Sequence, residues 1–194
     1  GAIVMPGSEL PLNIFEPRYL NMVSDALSTH RMIGMIQPEP NARDAKVLCH
    51  TGCAGRITQY RETNDGRIEM VLSGVCRYDL GEELPTTRGY RLIVPDWSRF
   101  SDDYTNHEDP LRREHDHLIR MLKRYFDAKG LQADWSMLER LSTVRLMNSL
   151  SMALPISEQD KQLLLETVEP AQRLHTFTSL LGDGCQASGS VTRH

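Results

Sequence analysis

No uninterrupted apolar stretch in the 194 residues approaches the roughly 18 that a membrane-spanning helix needs, and no charged segment leads into an apolar one at the start. The cytoplasm is therefore the expected setting, with no membrane partner. Cysteine is scarce: Cys49, Cys53, Cys76 and Cys185 are too few and too scattered for the disulfide framework of a small secreted domain, and free thiols are expected. Neither sign of charge dominates, since 22 Lys plus Arg oppose 26 Asp plus Glu for a formal net charge of -4. Arg18, Arg56, Arg67 and Arg77 recur in the first half, but Glu16, Glu62, Asp65 and Glu69 lie among them and cancel the local field. Nucleic acid is disfavoured as a partner.

Catalytic motifs are missing too. There is no Gly-x-x-x-x-Gly-Lys followed by Ser or Thr to cradle a phosphate, and no Gly-x-Ser-x-Gly to present a serine nucleophile. Ser73-Gly74 is read as a strand-ending turn. The adjacent pairs Asp102-Asp103 and Glu82-Glu83 are read as solvated loop carboxylates, which do not shift one another enough for acid or base work. Cys49-His50-x-x-Cys53 gathers soft ligands, but no second Cys pair follows to complete four. Cys49 and Cys53 on a strand would share a face as small core residues. His115 and His117 lie two apart on a helix and point away from each other, and His115 falls on the apolar stripe Leu111, Leu118, Leu122, Tyr125. No metal and no cofactor is expected.

What is present is an ordinary globular composition, 40% hydrophobic and 25% charged. A chain of this size buries about 70% of its unfolded surface. Up to about Arg99 the apolar residues come in short runs broken by Gly, Pro and Asn, the texture of strands and turns. Thr63-Asn64-Asp65-Gly66 links two such runs into a hairpin from Gly55 to Leu72, in which Ile68, Met70 and Leu72 alternate with polar neighbours. Further strands are expected over Val75 to Leu80 and from Tyr90 to Val94, where Pro95 stops the run. One early helix interrupts them, with Pro17 at its first position and Leu20, Val23 and Leu27 at helical spacing. From Asp109 to Gly182 the apolar residues recur every three or four positions, predicting helices over Pro110 to Lys129, Asp134 to Leu150, and Ser157 to the Leu180 region with a bend at Pro170. Residues 101–108 read as a connecting loop. The expected division is a β-rich unit over 1–105, a helical bundle over 106–182 and a flexible tail over 183–194.

The segment Pro11-Leu12-Asn13-Ile14-Phe15-Glu16-Pro17-Arg18-Tyr19 resembles the opening signature of the Lon protease N-terminal domain, the LON substrate-binding domain. Gly34-Met35-Ile36, Gly52-Cys53-Ala54-Gly55-Arg56-Ile57, Asp65-Gly66-Arg67 leading to Leu72-Ser73-Gly74, and Arg77-Tyr78 resemble its successive steps. Leu154-Pro155-Ile156, then Asp160-Lys161-Gln162-x-Leu164-Leu165-Glu166 and Arg173-Leu174, are similar to its last helices. The resemblance spans about residues 2 to 181. It implies an α+β fold: a PUA-like β pseudobarrel with one inserted early helix, followed by a C-terminal helical bundle.

Neither an ATPase nor a Ser-Lys peptidase module is visible, so a stand-alone LON-domain protein is expected, without ATP or casein hydrolysis. Gly1 to Gly7 resembles the interior of the family's first strand, which suggests a short native stretch before it. The resemblance further implies a non-enzymatic module that binds unfolded or extended polypeptide segments, as an adaptor or regulator alongside components of a proteolytic system. RNA or nucleotide binding through the PUA-like fold is the alternative, and a small-molecule enzyme using an inter-subdomain pocket is a third. Phe15, Tyr19 and Met22 mark the expected binding surface, at the edge of the seam between barrel and bundle. Pro11, Glu16, Arg18, Gly55, Gly66, Arg67 and Gly74 are read as structural motif positions, with Phe15 and Tyr19 also able to pin the helix.

Overall fold

Asp65-Gly66 makes the turn that its chemistry predicts. In a computed structural model that describes residues 2–40, 42–44, 46–104 and 109–189, with side chains through 182, Gly66 has φ +80° and the Thr63 N–H donates to the Arg67 carbonyl at 2.9 Å. The turn joins β3 (Thr51–Glu62) to β4 (Ile68–Leu84). Ile68, Met70 and Leu72 face inward as the period-two pattern requires.

Three more strands complete an antiparallel sheet. β1 (Glu9–Ile14) pairs with the first part of β4, β5 (Leu92–Asp96) with its last part, and β2 (Met32–Met35) with β3, giving the order β1-β4-β3-β2 with β5 off the path. Register shifts at Ala54/Gly55, at Ile57/Gln59 and at Leu80/Glu83 insert extra residues, which bend and twist the strands and curl the sheet. The early helix α1 (Pro17–Leu27) starts at Pro17 and buries Val23 and Ala26 against the sheet. Beyond its end at Leu27, Arg31, a non-glycine residue at φ 56°, turns the chain into β2.

Two expectations about strands fail here. Ser73-Gly74 is not a strand end: β4 runs straight through it as one 17-residue strand. Gly74 is needed because a Cβ there would lie 2.0 Å from the Met5 carbonyl oxygen, so the N-terminal segment can cross the strand only over a glycine. Among its described residues that segment forms no strand before Glu9, yet Ile3, Val4 and Met5 are buried in the sheet core. Pro95 does not stop β5 but pairs opposite Leu80, which is tolerated because β5 is an edge strand.

The helical half follows the apolar periodicity but breaks more often. A 3-10 turn (Arg112–Glu114) leads into α2 (His115–Lys129), which Gly130 ends at φ +64°. The helix expected over Asp134 to Leu150 is two: α3 (Trp135–Leu138), capped by Asp134, and α4 (Thr143–Ala153), where the Ser142 hydroxyl accepts from the Arg145 N–H at 3.3 Å. Ser142 offers the backbone a new start, and the chain takes it. Ser157 caps α5 (Glu158–Glu166), accepting from the Asp160 N–H at 3.0 Å. Pro170 then opens α6 (Pro170–Gly189) instead of bending a continuous helix. α6 also runs past Gly182, where a flexible tail was expected. Gly182 lacks the positive φ of a helix-ending glycine. Residues 105–108 of the expected loop and 190–194 of the expected tail lie outside the described residues.

Two apolar clusters result. One, inside the sheet, gathers Met5, Val23, Ile57, Met70 and Leu72; the other, inside the bundle, gathers Leu118, Leu122, Leu146, Met147 and Phe177. α5 serves both, since Leu164 belongs to the bundle cluster and its neighbour Leu165 to the sheet cluster. The fold is α+β.

Candidate polypeptide-binding surface

β1 alternates exposed and half-buried residues, so Glu9, Pro11 and Asn13 form an outward row, and Phe15 continues it just past the strand end. Phe15 is 61% exposed. It does not pin α1 to the sheet, as its place in the motif suggested. Beside it Arg67, the residue just before β4, has its guanidinium carbon 5.7 Å from the Phe15 ring centre, and Glu69 follows on the outward row of β4. β3 contributes Gln59, Tyr60 and Arg61, with Tyr60 exposed and Arg61 paired to Glu69 across the strands. A shallow hollow of about 570 Å³ opens among Pro11, Asn13, Gln59, Tyr60, Glu69 and Val71. The sequence reading missed Tyr60 and Val71, because this hollow depends on the register of three strands.

The three residues expected to mark one surface have different surroundings. Tyr19 is half-buried, with the Arg18 guanidinium carbon 4.5 Å from its ring centre, and Met22 is half-buried against the sheet core, where it serves packing. Arg18 is half-exposed and bridges Glu16 at 2.9 Å. Gly55 has a packing role, since a Cβ there would lie 2.4 Å from Leu72 Cγ.

The seam between sheet and bundle is not an open groove edged by these residues. It is closed by hydrogen bonds. Arg77, 3% exposed, donates from Nε and Nη2 to the two oxygens of Asp103 at 2.9 and 2.8 Å, and from Nη1 to the carbonyls of Leu165 and Thr167 at 3.2 and 2.7 Å. Asp103 is thus a buried partner, not the solvated loop carboxylate expected from its pairing with Asp102. Gln162 adds a bond from Nε2 to the Thr51 carbonyl at 3.0 Å and accepts one from Gln37 at 3.1 Å.

The remaining candidates are structural. Cys49 lies before β3 rather than on it, Cys53 is in the sheet core, and His50 points outward toward Asp79 at 3.9 Å, so the three do not converge. Burial pushes the thiols of Cys49 and Cys76 up to about 11, with Glu39 and Asp103 respectively adding to the effect, and raises Cys53 as well. Such thiols are poor nucleophiles at neutral pH. Cys49, Cys53 and Cys76 are free, and the Cys185 side chain lies outside the described residues. His115 lies 3.2 Å from the Glu139 carbonyl oxygen and 3.4 Å from the Thr143 hydroxyl, a structural arrangement. Among the described residues no cluster of three or more His, Cys, Asp or Glu is placed to hold a metal, and no helix is long and apolar enough to cross a membrane. Six surface arginines, at 18, 61, 67, 88, 91 and 99, are each matched by a carboxylate.

The sequence profile of the ATP-dependent protease La (LON) substrate-binding domain matches residues 1–183. The chain belongs to this family. Relatives of the LON domain here include the Lon proteases of Heliobacterium modesticaldum and Elusimicrobium minutum, each 24% identical over 93% of this chain. The match covers 22% of each relative, so the chain spans about a fifth of their length. Among solved structures, the Lon N-terminal domain protein from Xanthomonas campestris superposes with a TM-score of 0.67 at 24% identity, covering 92% of both chains. The N-terminal domain of Mycobacterium avium complex Lon protease gives 0.63 at 18% identity and 94% of both. The fold of this LON domain is thus shared with those proteins.

Proposed function

We propose that the chain is a non-enzymatic, cytoplasmic module that binds unfolded or extended polypeptide segments and serves a proteolytic system as an adaptor or regulator. Residues 1–105 and 106–182 are taken as its sheet and bundle subdomains. Family membership supports polypeptide binding, and one observation favours a location: Phe15, a large aromatic within the family's opening motif, is exposed beside a hollow on the sheet face. An exposed aromatic beside a hollow offers a partner apolar surface and a concave one together. The hollow is lined in part by the apolar Pro11 and Val71, and the neighbouring charges of Arg61, Glu69, Arg67 and Asp65 are already paired. Binding there should be governed by apolar contact, micromolar or weaker, and little affected by salt.

Titration of labelled unfolded peptides at low and high salt, followed by backbone amide shifts in NMR, tests this. Shifts should cluster at residues 11–15, 59–61 and 67–71, and Phe15→Ala should weaken binding roughly fivefold or more without lowering the melting temperature. Shifts confined to the second hollow, among Tyr125, Pro155, Ile156 and Leu180 in the bundle, would refute the location. Affinity that collapses as salt rises would refute the mechanism and favour a nucleic-acid partner.

A further inference from the structure

Arg173, on α6, is 2% exposed, and its Nε and Nη1 are buried with no hydrogen-bond partner among the described residues. The nearby acid is already committed. Both oxygens of Asp103 accept from Arg77, one of them from the Arg77 backbone N–H as well, and the remaining Arg77 nitrogen is used by the carbonyls of Leu165 and Thr167. Arg173 and Arg77 both lie within electrostatic reach of Asp103, whose oxygens Arg77 already occupies, so Arg173 forms no ion pair among the described residues. Burial first, and then the charge of Arg77, lower the pKa of Arg173 to about 10, with Asp103 opposing them. The group is still cationic at neutral pH.

A buried charge with unmet N–H groups is costly, and native structures resolve it with a partner. A water molecule would satisfy a donor but would supply no charge opposite the guanidinium. An anion with several oxygens supplies acceptors and negative charge together, and guanidinium groups suit such anions. Asp103 also brings the region close to solvent: it lies on a short 3-10 segment (Ser98–Tyr104), its carboxylate is 10% exposed, and its neighbour Tyr104 is exposed. We propose that the cluster of Arg77, Asp103 and Arg173, between the curled sheet and α6, binds a small inorganic oxyanion of the phosphate or sulfate class, with Arg173 as its principal ligand.

The full chain is melted in chloride buffer and in millimolar sodium phosphate or sodium sulfate at matched ionic strength, as wild type and as Arg173→Met. The wild-type midpoint should rise on the order of 5 °C at saturating oxyanion, whereas Arg173→Met should fold and show no specific rise. Replacing an unpaired buried charge by an apolar side chain of similar length is often neutral or stabilising, which makes this variant suitable. Equal rises in the two proteins would reveal general salting behaviour and overturn the proposal. Calorimetric titration of the wild type with phosphate and with sulfate decides the matter even if the variant fails to fold. Saturable binding of either anion supports the site, and no binding of both overturns it.

Discussion

Arg18 and Arg77 both belong to motif segments, yet burial gives them opposite importance. Arg18 is half-exposed and bridges Glu16 in water, where such pairs contribute little because solvent screens them. Arg77 is enclosed, stacked 4.5 Å from the Phe100 ring centre, and satisfies carbonyls at the C-terminal end of α5 as well as Asp103. Removing its side chain would take the guanidinium from a largely buried carboxylate, leaving it only the backbone N–H of residue 77, and would take a donor from two carbonyls. Urea denaturation of Arg77→Ala should therefore show a loss of about 3–5 kcal/mol. Arg18→Ala should cost about 0.5 kcal/mol or less, below the larger loss that burial would have implied. Similar losses in the two variants would mean that the seam does not depend on the Arg77 hydrogen bonds.

Among the elements, the connection from β4 to β5 is tied to α1 by a set of polar bonds. Asp25 accepts from Arg88 Nε and Nη2 and from the Tyr90 hydroxyl, each at 2.9 Å, and Asn21 Nδ2 donates to the Arg88 carbonyl at 3.2 Å. The hydrogen bond from Arg88, followed by that from Tyr90, holds the Asp25 carboxyl below its ordinary value of 3.8. A depressed folded-state value means that the stabilisation is fully present above the ordinary value and is lost as pH falls through the folded-state value. Amide protection at residues 88–90 should thus be flat from neutral pH down to about 5 and decrease in the acid range below the ordinary carboxylate value. Asp25→Asn should remove this pH dependence. A wild-type profile that changes between pH 5 and 7 would mean that a different group governs the connection.

The same scale shows how much could be read in advance. Asp65-Gly66, Pro17 and Ser157 act within a few residues of their own position, and the turn and both helix starts followed from them. Gly74 could not be read locally, because the reason for it is the backbone of Met5 crossing from elsewhere. Asp103 looked solvated for a similar reason, since its partner Arg77 is on β4. Ser142 carried a usable signal as a helix-starting residue, but continuing apolar periodicity masked it. For the candidate surface, the motif containing Phe15 was legible, whereas its exposure and the hollow beside it arise from three strands brought into register.

For the whole molecule, the sequence supplies a probe in each half. Its two tryptophans are Trp97, stacked edge-on at 5.7 Å against Tyr78 in the sheet half, and Trp135, at 5.3 Å from Phe126 in the bundle. The two apolar clusters are distinct, but α5 divides Leu164 and Leu165 between them, and Arg77 ties the end of that helix to β4. Loss of either cluster would therefore expose a buried leucine of α5 and weaken the other. Cooperative unfolding across both halves follows from this sharing. In Trp97→Phe and Trp135→Phe proteins, each retaining one tryptophan, fluorescence-monitored urea curves should agree in midpoint and slope once the small cost of each substitution is subtracted. Adding Arg77→Ala should separate them, with one half losing its signal before the other, because the polar part of the seam is gone while each cluster keeps its own leucines. Two well-separated transitions already present with Arg77 intact would show that the halves unfold independently and that sharing α5 does not couple them.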